Sequence, residues 1–164
     1  MVKYRPDVDG LRAVAVLPVV LFHAGVSGFS GGFVGVDVFF VISGYVITLR
    51  LLSDLEDGRF SILDFYERRV RRIFPALFFM IALTTVAAWF ILLPPNFNDY
   101  SKSAIATALF GSNIYFMKFS GYFDPSAQLR PLLHTWSLAV EEQYYIFIPI
   151  AMLVTYRFLN ARWL

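Results

Sequence analysis

The sequence predicts an all-α fold: a polytopic transmembrane helix bundle of four spans with one short interfacial or partly inserted helix. Three observations carry this. First, 58% of the 164 residues are hydrophobic and only 16% are charged, with a mean hydropathy of +0.62. A soluble domain has roughly 45–50% apolar and about 25% charged residues. A short chain has too little interior to hide that excess, so the bilayer is its natural solvent. Second, the apolar residues come in runs long enough to cross a hydrocarbon core of about 30 Å, which takes about 20 residues of helix. Third, the charges gather between those runs rather than inside them.

The first run, about 11–27, is short but strongly apolar. The second, about 33–52, carries only Asp37 and Arg50. The third, about 73–93, has no charge and stops at Pro94-Pro95, a helix terminator. The fourth, about 135–156, is apolar in its second half and holds Glu141 and Glu142 in its first. Between the third and fourth lies about 103–117, bracketed by Lys102 and Lys118. It looks too short to cross and reads as an interfacial helix.

Basic residues set the orientation. The stretch from Arg50 to Arg72 holds Arg50, Arg59, Arg68, Arg69, Arg71 and Arg72, and the N-terminus holds Lys3, Arg5 and Arg12. The turn Ala24–Gly32 has no charge. The expected topology puts the N-terminus, the arginine-rich loop and Arg157 with Arg162 in the cytoplasm, and the turn outside. No cleavable signal peptide is expected, because the first run lacks a small-x-small site and leads into a second span. Cysteine is absent, which excludes disulfides, thiolate metal sites and a cysteine nucleophile.

Ionisable groups inside spans cost about 2.5–3.5 kcal/mol at a helix centre and mark functional positions. Here they are His23, Asp37, Glu141 and Glu142. His23 falls a turn before the outer end of its run and Asp37 a turn after the outer start of the next. The two glutamates fall in the first turns of the fourth span. The expected arrangement sets all four near one level toward the outer leaflet, where a carboxylate fixes the tautomer of an imidazole acting as base. The alternative is four satisfied polar groups near the interface.

Arg12 precedes His23 by eleven positions, about 1100° of helix, so the two share a stripe about 16 Å long. That spacing fits a shaft through the bundle, and equally a snorkelling interfacial arginine. The run Arg68-Arg69-Val70-Arg71-Arg72 either anchors a helix among anionic headgroups or pairs with phosphates through guanidinium forks. Gly28, Gly31, Gly32 and Gly35 loosen the outer turn and permit close helix approach, and Ser43 with Gly44 offers a small packing face. Trp136, Tyr144 and Tyr145 fit an interfacial aromatic belt. Two histidines and scattered acids give no metal-ligand spacing, so no metal is expected.

Four ordered blocks now line up with something known. They are Tyr4-Arg5-Pro6-Asp7-Val8-Asp9-Gly10-Leu11-Arg12 with His23; Gly35-Val36-Asp37-Val38-Phe39-Phe40-Val41-Ile42-Ser43-Gly44-Tyr45; Phe65-Tyr66 with Arg68-Arg69-Val70-Arg71-Arg72-Ile73-Phe74-Pro75; and His134-Thr135-Trp136-Ser137-Leu138-Ala139-Val140-Glu141-Glu142-Gln143-Tyr144-Tyr145. Together they resemble the acyltransferase-3 family of envelope O-acetylases. The resemblance implies transfer of an acyl group, commonly acetyl from cytoplasmic acetyl-CoA, to a hydroxyl of an extracytoplasmic carbohydrate such as O-antigen, exopolysaccharide or peptidoglycan.

By that resemblance the family's paired arginine and histidine fall on Arg12 and His23, with His23 the catalytic candidate; the buried-charge pattern adds Asp37 or Glu141 as the carboxylate expected to orient it. The arginine-x-x-arginine motif falls on Arg69 and Arg72 as donor-phosphate contacts, while Arg68 and Arg71 share the spacing. The tryptophan-serine-leucine motif falls on Trp136, Ser137, Leu138 and Glu141, leaving His134 and Glu142 as further candidates. Acyl-CoA enters as donor substrate, with no permanently bound cofactor. The implied partners are the bilayer, the carbohydrate acceptor and further helices, with no nucleic acid. The implied location is a bacterial inner membrane, and residues 1–164 read as the N-terminal part of a larger acyltransferase domain. A proton-coupled transporter or channel subunit is the alternative, since intramembrane His, Asp and Glu also build relays.

Overall fold

The computed structural model describes residues 5–118 and 129–161, so Lys3, Tyr4 and Arg162 lie outside it. Every regular element among the described residues is helical: α1 (Pro6–His23), a 3₁₀ turn (Gly32–Val34), α2 (Gly35–Glu56), α3 (Ile62–Ile91), α4 (Pro94–Ala108), α5 (Ser112–Lys118) and α6 (Thr135–Ala161). Among the described residues three stretches are long and apolar enough to cross a membrane: Gly32–Glu56, Ile62–Ile91 and Thr135–Phe158. Only 17%, 11% and 22% of their apolar windows are buried. Side chains such as Phe90, Ile91 and Val41 stand more than 70% exposed, a surface that suits lipid rather than water.

The count of four spans is not reached by that measure. The 18 residues of α1 include Asp7 and Asp9 in the first turn, and Arg12 follows. The uninterrupted apolar stretch behind them is about ten residues, or about 15 Å, half a hydrocarbon core.

Two further boundaries differ from expectation. The third helix begins at Ile62, not near 73, because Ser61 caps it: its side chain accepts from the Asp64 N–H at 3.3 Å. The arginine run therefore rides on α3 and is not a loop. The stretch about 103–117 is not one short helix but the end of α4, a break and α5. Pro94 starts α4 at its first position, where a missing N–H costs nothing. Phe110 then breaks the chain with φ +53°.

Contacts divide the chain into two compact units, Met1–Phe60 with Phe147–Leu164, and Ser61–Ile146. In the first, α1 and α2 run antiparallel at very short range. A Cβ on Gly35 would sit 2.1 Å from the Ala15 carbonyl oxygen, and one on Gly32 would sit 2.1 Å from that of Pro18. Both glycines are there because backbone touches backbone. Gly25, at φ +70°, closes α1 while Val26 N–H returns to Leu21 O at 3.1 Å, a glycine-closed helix end.

In the second unit the core gathers Ala88, Tyr100, Phe116 and Leu132, with Met80, Leu92, Phe97 and Leu133 against it. Polar bonds fix its register. The Tyr100 hydroxyl meets Thr85 Oγ1 at 2.7 Å and donates to Ile81 O at 3.2 Å. Ser112 Oγ donates to Thr135 O at 2.9 Å, and Thr107 and Thr135 hydroxyls meet at 3.0 Å. Buried hydroxyls need partners, and these pin the start of α6 to α4 and α5.

Candidate functional site

His23 is the last residue of α1. Its Nδ1 lies 2.8 Å from the carbonyl oxygen of Val19, one turn back. A carbonyl can only accept, so in the neutral ring the proton sits on Nδ1 and the Nε2 lone pair is left outward-facing. Phe22 meets the ring edge-on at 5.1 Å between centroids, and Phe33 packs on Phe22 at 5.7 Å. The imidazole thus sits at a solvent-exposed helix end with an aromatic wall beside it. Asp37 is exposed in the first turn of α2, and no hydrogen bond or ion pair joins it to His23 among the described residues. The backbone, and not this carboxylate, sets the tautomer.

Arg12 reaches across to α2. Its Nη2 donates to the buried Ser43 hydroxyl at 3.3 Å, and its guanidinium lies 5.6 Å from the Phe39 ring centroid. Its Nε is buried without a partner, an arrangement that costs about 1–3 kcal/mol unless a ligand or water completes it. Before it, Arg5 and Asp7 pair at 2.6 Å. The Arg5 guanidinium holds the exposed Asp7 carboxyl below the usual carboxylate range, chiefly through the hydrogen bond.

A separate charge cluster forms in the second unit. Of the arginine run, Arg69 turns inward: its guanidinium lies 3.9 Å from the Tyr145 ring centroid and 5.7 Å from that of Phe65. Glu142, 6% exposed, lies within electrostatic range of Arg69 and Arg72, as does Glu141 of Arg69. Glu141 accepts the Tyr145 hydroxyl in a short hydrogen bond. Arg71 faces outward and pairs with Glu67 at 2.7 Å, both exposed, and Arg68 is exposed as well. So of the two equally spaced pairs, Arg69 and Arg72 are the ones whose charges reach the glutamates.

The remaining candidates are placed as follows. Trp136, 39% exposed, lines a cavity of about 400 Å³ with Asn113, Ile114, Phe116, Met117 and Val140. Ser137 Oγ donates to the His134 carbonyl at 3.1 Å, which settles the start of α6, and His134 itself is exposed.

Sequence reasoning missed three groups. Tyr145, expected in an aromatic belt, lies against Arg69 at 3.9 Å. The signal was its spacing, one turn after Glu141, which puts both on one helix face. Gln143 and Asn113 exchange amide bonds at 3.0 Å each way, and Gln143 also donates to Phe110 O at 2.8 Å. The buried Arg130 faces Asp99 at 3.7 Å, and Asp99 accepts the Tyr115 hydroxyl at 2.6 Å. Nothing local in the sequence pairs residues this far apart.

The comparisons with known proteins agree with the motifs. The chain is 39% identical over 152 residues to the O-acetyltransferase OatA of Staphylococcus aureus, covering 92% of this chain and 25% of that protein. It is 41% identical over 154 residues to the peptidoglycan O-acetyltransferase OatA of Listeria monocytogenes, covering 93% and 25%. It therefore spans about a quarter of the length of the curated relatives it matches. No solved structure matches it. The family model described as an acyltransferase domain matches residues 5–164, and the chain belongs to that family, acyltransferase-3.

Proposed function

We propose that this chain is part of a membrane O-acetyltransferase that moves an acetyl group from cytoplasmic acetyl-CoA to a hydroxyl of an extracytoplasmic envelope carbohydrate. Among acceptors, the Listeria relative's name favours peptidoglycan, and nothing comparable favours O-antigen. The observation that carries the reading is the imidazole of His23: Nδ1–H is committed to Val19 O at 2.8 Å, so Nε2 presents a lone pair at an accessible helix end. Arg69 and Arg72 are the donor-phosphate contacts, since a guanidinium fork matches phosphate oxygens. Arg12, with an unpartnered Nε, guides the pantetheine arm. The N-terminus lies in the cytoplasm, by the bias of basic residues, and the membrane is a bacterial inner membrane.

The chemistry balances without a metal or a redox partner. In direct transfer, Nε2 removes the acceptor hydroxyl proton as the oxygen attacks the thioester carbonyl. The C–S bond breaks, and the proton passes to the CoA thiolate. In carrier transfer, Nε2 attacks the carbonyl first, the C–S bond breaks and CoA leaves as the thiolate; the acceptor oxygen then attacks the acyl carbon and displaces the imidazole, and the hydroxyl proton passes to the thiolate. The two routes differ in one isolable species. Rapid quench and mass spectrometry of the His23 peptide would show an acetyl-imidazole only for the second.

The test of the function is transfer itself. Inside-out vesicles carrying the full-length protein receive labelled acetyl-CoA, and envelope carbohydrate is recovered. Base-labile label on the carbohydrate is the expected result. Absence of label with acetyl-CoA and with longer acyl-CoA donors would refute the reading.

A further inference from the structure

We infer that Tyr145 is a positioning residue for the donor's phosphates: it holds the Arg69 guanidinium edge-outward, so that the fork is preset for an anion. This rests on the donor-site reading of Arg69 given above and adds a residue that reading does not include.

The geometry is specific. The Arg69 guanidinium carbon lies over the Tyr145 ring at 3.9 Å from its centroid, a separation that fits a guanidinium lying flat on the ring, and Tyr145 is itself 3% exposed and so held in place. The five N–H donors of a guanidinium lie in its plane. A stacking partner occupies the flat face and leaves every donor available, whereas a bidentate carboxylate would consume the fork. Among the described residues no hydrogen bond or contact ion pair engages Arg69, and none of its nitrogens is a buried, unpartnered atom, so they reach the surface.

The tyrosine has a second task. Its hydroxyl donates to Glu141 in a short hydrogen bond, which engages that carboxylate at the edge of the ring. Glu142 offsets the charge of Arg69 and Arg72 from a distance without closing on the fork. A more remote packing role would require neither the stacked guanidinium nor its free edge.

The test compares two donors on the full-length protein in membranes: acetyl-CoA, and acetyl-pantetheine, which lacks the nucleotide phosphates. Tyr145→Met fills similar space without a π face. It is expected to raise KM for acetyl-CoA about tenfold, with kcat and the KM for acetyl-pantetheine within about twofold of wild type. Tyr145→Phe keeps the ring and is expected to keep the donor preference. Arg69→Ala is expected to reduce that preference at least as much as Tyr145→Met, and the double variant Arg69→Ala/Tyr145→Met to be no worse than Arg69→Ala alone.

If Arg69→Ala reduces the preference for acetyl-CoA while Tyr145→Met retains it, this inference is overturned and the donor site stands. If Arg69→Ala also retains it, both fall. Should Tyr145→Met fail to accumulate, stepwise fluorination of a phenylalanine at position 145 leaves the shape and weakens the ring's negative face. The preference should then fall with each fluorine, and a flat series would overturn the inference.

Discussion

At the scale of single residues, the proposed chemistry depends on atoms whose state is set by near neighbours. His23 is the clearest case: the Val19 carbonyl, not a carboxylate, selects which nitrogen carries the proton. The sequence puts His23 a turn before a helix end and flags it as chemistry, whereas the helix stops at His23 itself. It could not supply the tautomer, because that follows from a side-chain rotamer meeting a backbone oxygen. Glycines were more legible, since adjacent small residues between apolar runs imply close approach. Gly35→Ala would put a methyl 2.1 Å from the Ala15 carbonyl oxygen. It is expected to separate α1 from α2 and lower stability by roughly 1–3 kcal/mol, seen as a lower melting temperature in detergent. Gly10→Ala meets nothing within 4 Å and should leave the melting temperature unchanged or slightly raised.

Asp7 allows a pH statement of known sign. Its folded value is depressed by Arg5, so the pair's contribution is fully present above the ordinary carboxylate value of about 4. It is lost as pH falls through the lower, folded value. Carbon-detected NMR of the Asp7 carboxyl should give a midpoint below that ordinary value, and Arg5→Ala should return it there. Both side chains are exposed, so unfolding should barely register the change.

At the scale of elements, the helices in the long apolar runs were legible and their ends were not. Ser61 with Asp64 is a cap signal three residues apart. The arginine run behind it reads as a loop by charge alone, whereas a single helix carries the run on into the apolar segment. The break between α4 and α5 was illegible for a different reason: Phe110 takes a left-handed conformation that a phenylalanine pays about 1–2 kcal/mol to adopt. Gln143, more than thirty residues later, accounts for it by donating to the Phe110 carbonyl. Gln143→Leu should strand that carbonyl and the Asn113 amide and cost about 1–3 kcal/mol, measured as a lower melting temperature. Asp99→Ala leaves the buried Arg130 without its facing carboxylate. It is expected to cost more, about 3–5 kcal/mol, and Asp99→Asn less, since the amide oxygen still accepts from Tyr115.

At the scale of the molecule, this is an integral membrane protein of the acyltransferase-3 family, with three stretches among the described residues long and apolar enough to cross. Composition made the membrane legible at once, because few of the apolar residues find protein to bury against. The span count was harder to read. Hydropathy alone scores the first run well, whereas the helix that forms there begins with two aspartates and reaches only 18 residues. The four ordered motifs carried the family where any one alone would have been weak, and the comparisons agree over residues 5–164.

The central claim is that the Nε2 lone pair of His23 performs the acyl transfer. Its most direct test compares wild type with His23→Ala and His23→Gln in vesicles at matched expression, following label from acetyl-CoA to envelope carbohydrate. Both variants should fold, since His23 is exposed, and both should lose transfer by about 10²–10⁴-fold. Undiminished transfer in either folded variant would contradict the claim and move the chemistry to another base, with His134 the first to examine.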